Sequence, residues 1–107
     1  MLVVIFRAKV RQFDAEYSRV AAHMRKLALE QFGCLDFQAV TEGSNEIALS
    51  YWPDEDSIRA WKNHAEHALA QQLGRERWYE SYVVQVAQIS RSCQFAQRQP
   101  CPAEPVP

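Results

Sequence analysis

The chain concentrates its aromatic and imidazole side chains in the C-terminal half: Tyr51, Trp52, Trp61, His64, His67, Trp78, Tyr79 and Tyr82. Trp61, His64 and Gln71 recur at helical spacing, with His67 close to the same face. Between such a helix and a sheet, these residue types would wall a flat, apolar pocket lightly supplied with hydrogen-bonding groups. That suits a planar aromatic ligand, with Trp52, Tyr51, His64, Gln71 and Tyr82 as its candidate binding residues. General acid–base work would fall to His67 or His64, because imidazole titrates near neutral pH. The plainer alternative makes Trp61 and Trp52 core anchors and leaves the histidines exposed or locally bonded. Trp61 can be both core residue and pocket wall.

Other candidates carry less. His64 and His67 stand at i, i+3, but catalytic zinc takes a third protein ligand and Glu66 points away from that pair on a helix, so no metal is expected. His23 sits beside the apolar stripe of the first helix, a structural position. Arg75, Glu76 and Arg77 read as a solvated turn between helix and strand rather than an anion clamp. The chain contains no G-x-G-x-x-G, P-loop, G-x-S-x-G or H-E-x-x-H, and its three glycines are too few for a phosphate cradle. No nucleotide or dinucleotide cofactor is expected.

Charge narrows the partners. Twelve Lys and Arg against thirteen Asp and Glu leave a formal charge of -1, which argues against a nucleic-acid binder. No run is long enough to span a bilayer. The apolar start, Met1 to Phe6, lacks a preceding basic region and a following cleavage site, so it reads as a buried strand in a cytoplasmic protein. The three cysteines, Cys34, Cys93 and Cys101, are odd in number and far apart, which argues against a disulfide framework or a structural zinc site. Cys34 reads as a small buried filler, and Cys93 and Cys101 as exposed tail residues.

At 107 residues there is room for one domain, with a thin core. Leu2 to Arg11 is a strand, apolar on both faces in its first half. Asp14 caps a helix whose stripe is Tyr17, Val20, Ala21, Met24, Leu27 and Ala28, and Gly33 stops it. Two strands follow, around Phe37 and Leu49, joined by the turn Glu42-Gly43-Ser44-Asn45 and closed by Trp52-Pro53. Asp54 or Asp56 caps a second helix, broken near Asn63-His64, that runs to about Leu73-Gly74. A last strand covers Tyr79 to Arg91.

The order β-α-β-β-α-β gives an α+β, ferredoxin-like domain over residues 1–91, an antiparallel sheet with both helices on one face. The first and last strands are expected side by side in the middle of that sheet, and both are apolar on both faces. Nothing in the chain remains to cover the second face, so a homodimer through the sheet face is expected. Residues 92–107 hold four of the five prolines and no periodic pattern, and read as a disordered tail or an arm that grips the partner.

These features together resemble the antibiotic biosynthesis monooxygenase (ABM) domain family of dimeric α+β barrel proteins. The likeness covers residues 1 to about 91 and rests on the element order and the Phe37-to-Trp52 hairpin. It also rests on Tyr51-Trp52-x8-Trp61-x2-His64-x2-His67, extended by Gly74-Arg75-x2-Trp78-Tyr79-x2-Tyr82. The resemblance implies two sheets packed face to face and a pocket between helices and sheet in each protomer. It implies oxygenation of phenols, quinols or polyketide-like substrates by molecular oxygen without metal or flavin, the substrate anion activating oxygen. Trp61 matches the family's pocket tryptophan, and His67 becomes the candidate for proton removal. Haem degradation, known in other members, is disfavoured: the first strand has no asparagine, and the haem-ligand position is Gln71. The second open reading is a non-catalytic dimeric binding or stress-response module, since many members have no demonstrated substrate. A closed apolar pocket beside Trp61 favours the enzyme; a pocket filled by Trp61 and Trp52 favours the module.

Overall fold

The computed structural model describes residues 1–97, with the side chains of residues 65 and 66 excepted. Four strands, β1 (Leu2–Val10), β2 (Asp36–Glu42), β3 (Asn45–Trp52) and β4 (Tyr79–Gln88), form an antiparallel sheet in the order β2-β3-β1-β4. Helix α1 (Ala15–Gln31) joins β1 to β2. Helices α2 (Glu55–Lys62) and α3 (Ala65–Leu73), then a π-helical turn (Gly74–Trp78), join β3 to β4. This is the expected ferredoxin-like arrangement, with the second helix in two pieces. Strands β1 and β4 are neighbours, but β4 lies at the sheet's edge and not in its middle. The crossover from β3 passes over β1 and sets β4 down on its far side, so β1 and β3 are the central strands.

Local chemistry sets the element ends. Asp14 Oδ1 accepts the Tyr17 N–H at 2.7 Å, and Asp54, not Asp56, plays the same part for Ser57 at 2.8 Å. At the far end of α1, Gly33 takes φ +81°, and the chain reverses so that Cys34 N–H reaches the Ala28 carbonyl at 2.9 Å. The β2–β3 hairpin closes at the Glu42–Asn45 pair through the two-residue turn Gly43-Ser44. Helix α2 ends where Asn63 N–H donates to Arg59 O and His64 N–H turns back to Trp61 O, at 2.9 and 3.2 Å. Helix α3 begins with Ala68 N–H donating to His64 O at 3.0 Å.

The last connection was not legible as a π turn in the sequence. Its widened backbone carries Trp78 into the core, where it is 2% exposed, and the Trp78 carbonyl accepts the Arg11 N–H at 2.7 Å. Opposite it, β1 shifts register between Lys9 and Val10.

Strand register divides the sheet into two faces. Leu2, Val4, Phe6 and Ala8 look toward the helices, in rows with Trp52, Ser50, Ala48 and Glu46 of β3 and with Gln88, Val86, Val84 and Tyr82 of β4. The core on this side joins Val4, Met24, Ala28, Cys34, Trp52, Ile58 and Trp61. Burying apolar side chains of this kind contributes roughly 1.5–3 kcal/mol each. Ala21 of the expected stripe is exposed, whereas Cys34 is the buried filler expected, 6% exposed. The helices do not reach across the whole sheet: Val84 and Val86 remain 49% and 45% exposed on the helix side. The other face presents Val3, Ile5, Leu49 and Tyr51, half-buried, with Val40 and Val83 exposed at its margins.

Residues 92–97 are exposed and carry no regular element beyond an isolated bridge at Ala96. Cys93 is held in a disulfide, which corrects the sequence expectation against disulfides: an odd number of widely spaced cysteines does not exclude a single bridge. The rest of the expected tail, residues 98–107, lies outside the described residues.

Candidate functional site

The helix-side face carries two aromatic clusters. One gathers around Trp61 of α2, whose ring lies 5.2 Å from that of Trp52, 4.3 Å from that of His67 and 6.3 Å from that of Phe37. The other joins Tyr17, Trp78, Tyr79, Tyr82 and Phe6 at the opposite end of β1.

In the first cluster the two tryptophans differ in one respect. Trp52 is fully buried and its indole N–H donates to Ser50 Oγ at 2.8 Å, itself on a residue only 3% exposed. That pair is internally complete. Trp61 is 9% exposed, and its buried Nε1 has no hydrogen-bond partner among the described residues. The His67 Nδ1 beside it is likewise enclosed and unpaired among them. A buried donor without an acceptor costs about 1–3 kcal/mol, and two such atoms on touching rings are unusual for a plain core. Burial lowers the His67 pKa to about 4, assisted by the charges of Lys62 and His64. Its imidazole is therefore neutral at pH 7. The guanidinium of Arg25 stands 5.3 Å from the centre of the Phe37 ring, on the outer side of the cluster.

The remaining candidates are spread more widely. His64 packs edge-on against Phe32 at 5.3 Å. Gln71 lies half-buried one turn beyond His67 on α3. Tyr51 pairs with Val3 and so stands on the sheet face opposite Trp52. Tyr82 belongs to the second cluster, where its hydroxyl accepts from Arg75 Nη1 at 3.3 Å. The structure thus brings Trp52, Trp61 and His67 together and leaves Tyr51 and Tyr82 outside that group. Among the described residues, no three His, Cys, Asp or Glu converge as a metal-binding group.

The second cluster centres on a buried phenol. The Tyr17 hydroxyl donates to the Glu46 carboxylate, and burial, reinforced by that bond, raises the Tyr17 pKa far above its ordinary value. Burial also pushes Tyr79 up to about 12. Arg77 fastens the π turn to the start of α1 through Glu16 at 2.8 Å and Asp14 at 3.4 Å. Tyr17 was legible only as a helix-stripe residue. Its partner Glu46 is signalled by the alternation of β3, which puts a carboxylate on the helix side.

Comparison with known proteins places this architecture. The family model described as antibiotic biosynthesis monooxygenase matches residues 1–73. The uncharacterized protein YqjZ of Bacillus subtilis is 40% identical over 93 residues, covering 86% of this chain and 82% of that protein. A protein named jasmonate monooxygenase ABM, from Pyricularia oryzae, is 31% identical over 97 residues; the match takes in 86% of this chain but only 45% of the fungal protein. Among solved structures, SnoaB of Streptomyces nogalater, described as a cofactor-independent oxygenase, superposes in a mutant form with a TM-score of 0.72 at 16% identity. It covers 85% of this chain and 94% of its own. Rv0793 of Mycobacterium tuberculosis gives a TM-score of 0.73 at 12% identity, over 87% and 98% of the two chains. The structural likenesses speak for the fold. The family match over most of the folded domain, joined to the bacterial relative, makes this chain a member of the antibiotic biosynthesis monooxygenase family.

Proposed function

We propose that this protein is a cofactor-independent monooxygenase acting on a small aromatic substrate, a phenol, quinol or polyketide-like compound, with molecular oxygen. The observation that carries the reading is the pair of unpaired buried atoms on touching rings, Trp61 Nε1 and His67 Nδ1. A substrate hydroxyl satisfies both, accepting from the indole and donating to the imidazole; once ionised, its anion accepts from both. Because His67 is held neutral by burial, it is free to take a proton as the substrate ionises. The anion so formed stabilises the imidazolium in turn, and the low-dielectric surroundings strengthen that pairing. The electron-rich anion then reduces oxygen; in an anthrone-type substrate the activated methylene becomes a carbonyl and the second oxygen atom leaves as water. The oxygenase activities named for SnoaB and for the fungal relative support this reading.

Oxygen uptake with a panel of hydroquinones and anthrones tests it. Wild type is expected to consume oxygen faster than buffer, and Trp61→Phe and His67→Ala more slowly. A panel in which no member exceeds buffer sinks the oxygenase reading.

One observation favours the second reading, a non-catalytic binding module. Trp61 packs on Trp52 and both belong to the core, so their rings occupy space that a substrate would need. Under that reading ligands bind without oxygen consumption.

Two further points belong to the proposal. The protein pairs with a second copy through the face carrying Val3, Ile5, Leu49 and Tyr51, since the helices cover only the other side. A cytoplasmic location is part of the same reading; no helix among the described residues is long and apolar enough to cross a membrane.

A further inference from the structure

Helices α1 and α3 do not close against each other along their whole length. They leave a groove of about 210 Å³ lined by Val20, His23, Met24, Leu69, Ala70 and Leu73. We propose that this groove is an aliphatic subsite, taking a short alkyl substituent of a ligand whose ring lies against Trp61. The inference rests on the reading of Trp61 and His67 as a ring-binding site.

Continuity is the first argument. Met24 belongs to the same core cluster as Trp61 and Trp52, and Ala70 packs against that cluster. Ala70 also follows His67 by one helical turn on the same helix. The second argument is chemical. Apart from His23, every lining side chain is apolar, which leaves little to bind the hydroxyls of a second ring or a sugar. The third is size. Whole-ligand pockets run to about 300–1,000 Å³, so a groove of about 210 Å³ holds part of a ligand rather than all of one. At its rim Leu69 stands 57% exposed, an apolar side chain that an entering chain would cover.

The test is an anaerobic titration followed by tryptophan fluorescence, using hydroquinone and its methyl, propyl, pentyl and heptyl derivatives. In wild type the dissociation constant should fall about two- to fourfold per added methylene, then level off once the chain outruns the groove. Leu69→Gln, at an exposed position that spares the fold, should flatten that dependence and leave binding of unsubstituted hydroquinone within about twofold. A dissociation constant that ignores chain length overturns the subsite, as does an unchanged chain dependence in Leu69→Gln. The ring site fails separately: if only the alkylated members bind, with the dependence lost in Leu69→Gln, the groove stands and the ring site falls. If hydroquinone binds and chain length has no effect, the ring site stands and the groove falls. Both fall if no member binds.

Discussion

Trp61 and His67 hold their rings 4.3 Å apart at an interplanar angle of 70°, although one belongs to α2 and the other to α3. On an unbroken helix, side chains six residues apart point about 120° away from each other. The break at Asn63 and His64 removes that divergence and turns His67 back over the indole. The Trp61–His67 contact is thus a product of the interruption as much as of the residues.

The neutral state of His67 has a cost in acid. Below its ordinary pKa of 6.5 the unfolded chain binds a proton there, while the folded chain refuses it until about pH 4. Stability should therefore fall as the pH drops from 6.5 toward 4, and this residue should add no pH dependence above that window. The effect reaches roughly 2 kcal/mol, taking about 1.4 kcal/mol per pKa unit and allowing for partial exposure. Urea unfolding of wild type and His67→Gln between pH 4.5 and 8 measures it; parallel curves would show a solvated imidazole.

The two stacked tryptophans should respond unequally to truncation. Trp52→Phe removes ring volume at a fully buried position and strands the Ser50 hydroxyl, costing about 2–3 kcal/mol. Trp61→Phe sacrifices no hydrogen bond to the described residues and should cost about 1 kcal/mol less. Denaturant midpoints of the two variants decide the order, and equal losses would contradict the distinction between finished core and open site.

Gly74 has a steric reason to be glycine. A Cβ there would stand 2.8 Å from two ring carbons of Tyr79. Gly74→Ala should destabilise by about 1–3 kcal/mol, and a second change, Tyr79→Leu, should recover part of the loss. Thermal unfolding of the single and double variants checks this. Additive losses would place the clash elsewhere.

The Tyr17–Glu46 bond joins α1 to β3 at the end of the sheet away from Trp61. A double-mutant cycle of Tyr17→Phe and Glu46→Gln should give a coupling of about 1–3 kcal/mol. Oxygen uptake should be unaffected relative to folded protein, because neither residue approaches the Trp61 cluster. A proportionate loss of both stability and turnover would tie the two clusters together.

Leu49 and Val40 stand on the sheet face away from the helices. Leu49→Lys with Val40→Lys should convert a dimer to a monomer, read as sedimentation mass at micromolar concentration, with little change in the helix signal. A wild type that is already monomeric would exclude pairing through this face.

Much of the fold was legible because its strongest signals are periodic and local. Asp14 and Asp54 announce their helices by position, and the alternation of β1 places Val4 and Val3 on opposite sides whatever the context. The edge position of β4 was harder, since it depends on which strand the crossover passes. Residue type alone groups Tyr51 and Trp52 as neighbours of one ligand. Adjacent residues of a strand face opposite ways, however, and that alternation was already readable. Tyr82 could not be placed from sequence, because its surroundings follow from a π turn that composition does not signal. Nor could the contrast between Trp52 and Trp61: it turns on Ser50, a small polar residue with no motif around it.

The π turn also acts as a phase setting for the last strand. Strand side chains alternate with a period of two, so one residue more or fewer between Gly74 and Trp78 would swap every position of β4. Tyr82, Val84 and Val86 would turn to the outer face, and Val83, Gln85 and Ala87 would turn beneath the helices. A single backbone insertion therefore determines which side chains of this strand lie on the helix side of the sheet and which lie on its outer face.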